Sequence, residues 1–285
     1  MKSSNDSSRE NTLKANIHVH AFLANAGEYQ NSPLFRPENR AKIRNILVQL
    51  PADLQGKPDT RVIDFGCGSG CLIDLMHDLF IDVHGVDITR DMLKHVDVSS
   101  GNIRLHECAA EATPFPDNHF DFATAYSFMD HLFDYRDFLV EAHRVLKPGG
   151  VFYSDLNPNR AFIQAVYIAN QATQPAMTPL VRREIQGALH NGAFYEQNFG
   201  LDGKVLEDAE PIKSRDNGFD AADVLSVAAS VGFSRCRVEY EWFLGQAKVM
   251  HEQSMEHSAI VEKYLNSVLP VSSALFKYLR FVFVK

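Results

Sequence analysis

The chain has 285 residues, 45% of them hydrophobic, and its 28 basic against 36 acidic side chains leave a formal charge of −8. That balance supports a sizeable buried core and disfavours phosphate-rich nucleic acid as the main partner, pointing to a small-molecule substrate instead. The polar opening from Met1 to Glu10 lacks the apolar stretch of a secretion signal, and no later run reaches membrane-spanning length, so a soluble, cytoplasmic protein with no membrane span is expected.

Along the chain, residues 1 to about 15 read as a disordered tail, rich in Ser, Asn and charged side chains. Ile17 to Tyr29 mixes apolar, aromatic and histidine residues. His18 and His20 are two apart, on different faces of a helix, which argues against a paired metal site. Ile43, Ile46, Leu47 and Leu50 recur at helical spacing behind Pro37, predicting a helix from Pro37 to Leu50. Strands then alternate with helices: strands over 61–65, 83–87, 103–108, 120–126 and 151–155, helices over 71–80, 91–96 and 135–146. Short connections between them predict an α/β fold, a parallel sheet covered on both faces.

After Asp155 the rhythm breaks. Residues 157–217 are rich in Asn, Gln, Pro and Gly, with helical stretches over 160–170 and 178–189, and read as a helical cap inserted for substrate binding. The core of 16–156 resumes over 218–285. Asp220 is placed as the N-cap of a helix carrying Val224, Leu225, Val227, Ala228 and Val231, with Gly232 as its stop. Strands follow over 235–243 and 279–284. Between them, residues 246–276 exceed a hairpin loop and are expected to carry one or two helices of the substrate side. Cys67, Cys71, Cys108 and Cys236 show no metal-ligand spacing and read as free thiols.

The most informative stretch is Val62-Ile63-Asp64-Phe65-Gly66-Cys67-Gly68-Ser69-Gly70, an apolar strand running through an acidic residue into three alternating glycines. Such a turn lets backbone approach a ligand closely. A second strand, Val83-His84-Gly85-Val86, ends at Asp87, where a carboxylate can accept hydrogen bonds from ribose hydroxyls. Two further segments follow in order: Ala109-Ala110-Glu111-Ala112-Thr113-Pro114-Phe115-Pro116-Asp117-Asn118-His119-Phe120-Asp121, and Arg144-Val145-Leu146-Lys147-Pro148-Gly149-Gly150. Together these four segments resemble the motifs of class I S-adenosylmethionine-dependent methyltransferases, strongly over about residues 40–155. A dinucleotide oxidoreductase would instead prefer G-x-G-x-x-G.

The resemblance implies a doubly wound, mostly parallel, Rossmann-like sheet of seven strands, with S-adenosylmethionine as cofactor. It places Gly66, Cys67 and Gly68 along the methionine end, Asp64 at the amino group directly or through the turn, and Asp87 on the ribose. Ile88 and Met92 then sandwich the adenine, and Ala109, Ala110, Glu111, Ala125 and Tyr126 complete the cofactor set. Where family members often carry an acidic residue this chain has Ala109, so the adenine contact is either lost or supplied by backbone or Glu111. Ile17 to Tyr29 falls where related enzymes often have a lid, which makes Tyr29 a candidate for the carboxylate end or a packing residue.

His131, just beyond the fourth strand, is the candidate for proton chemistry, or else a residue that caps a helix or lines the pocket. Asp155, ending the fifth strand, either orients His131 or binds substrate, and Asp130 reads as a helix cap. Phe194, Tyr195, Phe199, Tyr240, Trp242 and Phe243 are available for an apolar pocket, though each also fits core packing. The expected activity is methyl transfer to a hydroxyl of a natural product, sugar or phenolic metabolite. Alternatives are C-methylation of a quinone- or lipid-like acceptor, and a catalytically silent adenosyl-binding module.

Overall fold

The computed structural model of the chain describes residues 4–26, 36–54, 57, 59–171, 179–189 and 192–285. It opens with helices α1 (Ser4–Ala26) and α2 (Pro37–Gln49), the latter with proline in its first turn, where a missing N–H costs nothing. Then come β1 (Arg61–Phe65), α3 (Cys71–Met76), β2 (Asp82–Asp87), α4 (Arg90–Leu93), β3 (Ile103–Glu107) and β4 (Phe120–Tyr126). A 3-10 turn (Met129–His131) leads to α5 (Tyr135–Val145) and β5 (Leu146–Pro158). Five helices follow: α6 (Arg160–Gln171), α7 (Pro179–Ala188), α8 (Gly192–Phe199), α9 (Gly203–Ala209) and α10 (Pro211–Ser214). The chain closes with α11 (Ala221–Val231), β6 (Arg235–Phe243), α12 (Gln246–Glu252), α13 (Met255–Ser267) and β7 (Phe276–Val284).

The seven strands form one sheet in the order β3-β2-β1-β4-β5-β7-β6. The first five run parallel, and β7 lies antiparallel between β5 and β6. Alternation along each strand splits the core between the two faces. Ile63, Phe65, Phe152, Phe281 and Phe283 pack with Phe138 and Leu139 of α5 and Val224 and Ala228 of α11. Val62, Phe122, Tyr153 and Val282 pack on the opposite side with Ile43 and Leu47 of α2 and Leu72, Ile73 and Met76 of α3. The carboxyl ends of β1, β2 and β4 therefore meet at one edge, between two helical layers.

Several expectations need correction. The stretch read as a tail is helical from Ser4, and α1 buries Thr12, Ala15, Asn16 and Val19, one helical face. Ala15 and Val19 pack against Leu206 and Ala209 of α9, so a partner far along the chain stabilises a helix whose local composition is polar. The helix after the glycine turn stops at Met76, four residues early, and the turn that follows is held by the Asn102 side-chain amide, which donates to the carbonyls of His77 and Phe80. The fifth strand runs past Asp155 to Pro158 across an irregularity between Ser154 and Asn157, where Leu156 adopts φ 59°. Asp130 caps no helix; it lies buried in the 3-10 turn, and the N-cap of α5 is Asp134, which accepts from the Arg136 N–H. Asp220 caps α11 as expected, accepting from the N–H groups of Ala222 and Asp223.

Candidate active site

At the end of β1 the chain turns through Gly66 at φ 64° and Gly68 at φ 53°, a region side-chain-bearing residues rarely adopt. A Cβ on Gly66 would overlap the ring of Phe128, and one on Gly68 would press on the Met92 terminal methyl, so both positions demand glycine twice over. The turn is held from β2. Asp87 accepts from the Gly68 N–H at 2.9 Å with one carboxylate oxygen and from the Thr89 N–H at 2.7 Å with the other. Burial raises its pKa against the pull of those two N–H groups. Each oxygen keeps a further lone pair for a ligand hydroxyl.

Above this turn opens a cavity of about 840 Å³, within the range of small-ligand sites. Of the predicted residues, Gly66, Cys67, Gly68, Asp87, Ile88 and Met92 line it. So do Ala109, Ala110, Glu111, Tyr126 and His131. Asp64 does not line it: its side chain is buried beneath the turn, accepts from the Thr124 hydroxyl at 2.7 Å, and is pushed up to about 7, first by burial and then by nearby Asp87. Ala125 is fully buried in the core. Tyr29 lies outside the described residues, as do the side chains of Phe194, Tyr195 and Phe199. Tyr240, Trp242 and Phe243 sit in or against the core and away from the cavity wall.

Asp155 departs most from expectation. It is 3% exposed and off the cavity; one oxygen accepts from the Tyr153 hydroxyl and the Arg280 Nε, both at 2.8 Å, and the other from the Leu156 N–H at 2.7 Å. Buried in the sheet with these three donors and absent from the cavity wall, it is not placed to orient His131 or to bind a ligand.

His131 is oriented by a different group. Its Nδ1 lies 3.1 Å from the Ala209 carbonyl at the end of α9. A carbonyl only accepts, so Nδ1 carries the proton and Nε2 holds the free lone pair. The ring meets that of His20 edge to face, with centroids 4.8 Å apart. Burial, followed by the neighbouring His131, pushes His20 down to about 3, keeping it neutral.

The wall that sequence reasoning missed is the part of α1 before Ile17, read as a tail; His20 lies in the segment expected as a lid. Arg9, Leu13, Asn16 and His20 line the cavity at helical spacing, a periodicity visible in the sequence once a helix is assumed. Arg9 pairs with Asp137 and lies over Phe133, whose other neighbour is the Arg215 guanidinium. Glu111, raised by burial, feels the same Arg9. Among the described residues, neither 157–217 nor 246–276 lines the cavity; the inserted helices reach it indirectly, by supporting α1 and His131.

A methyltransferase-domain family matches residues 63–154, the segment carrying the glycine turn, Asp87 and His131. A ubiquinone biosynthesis O-methyltransferase of Paraburkholderia phymatum is 37% identical over 130 residues, 41% of this chain and 54% of that protein. Residues 63–154 thus form a methyltransferase domain similar to those of S-adenosylmethionine-dependent methyltransferases. Another ubiquinone biosynthesis O-methyltransferase, of Bordetella avium, is 28% identical over 58% of this chain and 72% of its own length. The chain spans about half the length of the first of these methyltransferase relatives. In fold, it resembles a SAM-dependent methyltransferase of Archaeoglobus fulgidus, with a TM-score of 0.50 at 17% identity over 86% of this chain and 94% of the other. Methyltransferases of this family use S-adenosylmethionine, and the side-chain-free cradle at Gly66 and Gly68 beside Asp87 fits an adenosyl ligand with an amino-acid tail. No described helix is long and apolar enough to cross a membrane.

Proposed function

We propose that the chain transfers the methyl group of S-adenosylmethionine to a hydroxyl oxygen of a small, largely apolar molecule such as a phenol, with His131 as the base. The observation that carries this reading is the 3.1 Å contact between His131 Nδ1 and the Ala209 carbonyl: in the neutral ring it assigns the proton to Nδ1 and leaves Nε2 as the proton acceptor of a residue on the cavity wall. The cofactor supplies a methyl group already electrophilic on a sulfonium. The Gly66–Gly68 turn would hold its methionine end and Asp87 its ribose. Ile88 and Met92 would flank the adenine, with Glu111 the nearest carboxylate to the position where relatives often have an acid. Phe128, Leu132 and Leu13 exclude water around the acceptor, and His131 takes the hydroxyl proton as the oxygen becomes nucleophilic. The relatives' naming as O-methyltransferases agrees with oxygen as the methylated atom.

The test is label transfer from methyl-labelled S-adenosylmethionine across a panel of phenols, quinols and sugars, with wild type and His131→Gln compared on any acceptor found. Turnover should fall about 10²–10⁴-fold in the variant while affinity for S-adenosylhomocysteine stays unchanged. Full turnover in His131→Gln would leave alignment alone as the mechanism, as for a carbon nucleophile. Binding of S-adenosylhomocysteine with no labelled product from any acceptor would favour a silent adenosyl-binding module.

A further inference from the structure

We infer that Asn16, on the N-terminal helix, is a positioning residue for His131, so that α1 belongs to the catalytic centre and is more than a cover over it. The inference rests on the reading of His131 as the base. Asn16 is 4% exposed and spends both amide hydrogens: Nδ2 donates to the Thr12 carbonyl one turn back at 3.0 Å and to the His131 carbonyl at 2.9 Å. An asparagine in mid-helix is a poor helix former, and burying its amide is costly unless it is bonded. Here the bond that compensates reaches across 115 positions of sequence to the candidate base.

His131 is thereby held at three places. Its carbonyl is held by Asn16, its N–H donates to the Phe128 carbonyl at 3.0 Å, and its Nδ1–H donates to the Ala209 carbonyl at 3.1 Å. Two of these restraints, through Asn16 and through Ala209, share one support, because α9, which carries Ala209, docks on α1 through Ala15 and Val19, the residues flanking Asn16. The helix thus fixes the backbone of the base directly and its imidazole through α9. His20, one turn beyond Asn16, adds a ring against the imidazole. If α1 moves, both the backbone and the acceptor of Nδ1–H move with it, and the lone pair of Nε2 loses its fixed direction.

The experiment uses the full chain, labelled with ¹⁵N at histidine, with S-adenosylhomocysteine as the bound probe. Wild type should show the neutral form of His131 as a single Nδ1–H tautomer. Asn16→Leu, nearly the same size but without a donor, should shift His131 toward a mixture of tautomers while the cooperative melt and S-adenosylhomocysteine affinity are retained. Asn16→Ser, which keeps a polar group on the helix but is too short to reach His131, should behave as Asn16→Leu does, and it serves if the leucine variant does not fold. On any acceptor found by label transfer, both should lower kcat about tenfold to a hundredfold with the KM for S-adenosylmethionine unchanged. His131 signals that superimpose on wild type in a folded Asn16 variant would overturn the inference. If His131→Gln is fully active while the Asn16 variants still shift the tautomer, the base reading has failed and the positioning contact stands.

Discussion

Asp64 and Asp87 end neighbouring parallel strands, yet their surroundings give them different work. Asp87 faces the cavity with its charge partly satisfied by two backbone N–H groups, whereas Asp64 sits under the turn with a single hydroxyl donor. Burial lifts Asp64 from 3.8 to about 7. Between those values the folded protein keeps a proton that the unfolded chain releases, so the Asp64 contribution to stability is greatest below the unfolded value and is lost as pH rises toward 7. Asp64→Asn cannot ionise and keeps an acceptor for Thr124. Its stability relative to wild type should therefore rise between about pH 4 and pH 7 and level off above, as read by denaturant unfolding across that window. A difference independent of pH would mean that Asp64 is ionised and compensated in the fold.

At the scale of elements, α1 and the inserted helices act as a pair. The face of α1 toward α9 consists of Ala15 and Val19, with Leu23 at its edge, too small a surface to order a helix alone but sufficient against Leu206 and Ala209. An adjoining stripe, which shares Asn16 with the buried face, carries the cavity residues Arg9, Leu13, Asn16 and His20. The Arg9–Asp137 pair is about half exposed on both sides and so adds little stability; the apolar seam is what holds the helix. Val19 is 2% exposed, and Val19→Asp would bury an unpaired charge in that seam. The expected result is loss of α1 docking: limited proteolysis should cut within the first 26 residues while the sheet still melts cooperatively. Protection of α1 equal to wild type would show that other contacts carry it.

Across the whole molecule, the antiparallel end of the sheet is joined to the parallel part by buried charge. Arg280 of β7 reaches Asp155 of β5 at 2.8 Å and Glu239 and Glu241 of β6 at 2.9 and 2.6 Å. Lys42 of α2 pairs with Glu241 from the helical layer. Removing Asp155 takes one of three carboxylates from Arg280 and leaves the buried Tyr153 hydroxyl and Leu156 N–H without their acceptor, so Asp155→Ala should cost about 1–3 kcal/mol of stability. Because Asp155 is off the cavity, affinity for S-adenosylhomocysteine should stay within about twofold of wild type when measured well below the melting transition. Unchanged stability with lost affinity would return Asp155 to the site.

What the sequence determined by itself is what depends on neighbours in the chain. The glycine turn is legible because Gly66 and Gly68 answer a local backbone demand, and Arg61–Phe65, Phe120–Tyr126 and Arg235–Phe243 are legible as strands because period and bulk are local properties. Asp87 and His131 follow from their places at strand ends, which a parallel sheet turns toward one edge. Tertiary structure alone decided which distant groups these side chains meet. Asp155 looked free at a strand end until Arg280, 125 positions later, claimed it; His131 is oriented by a carbonyl 78 positions away. The helical first segment stayed hidden for the same reason. Its buried face is made of Thr12, Ala15, Asn16 and Val19, small or polar side chains whose burial becomes favourable only when α9 and the His131 carbonyl are there to meet them.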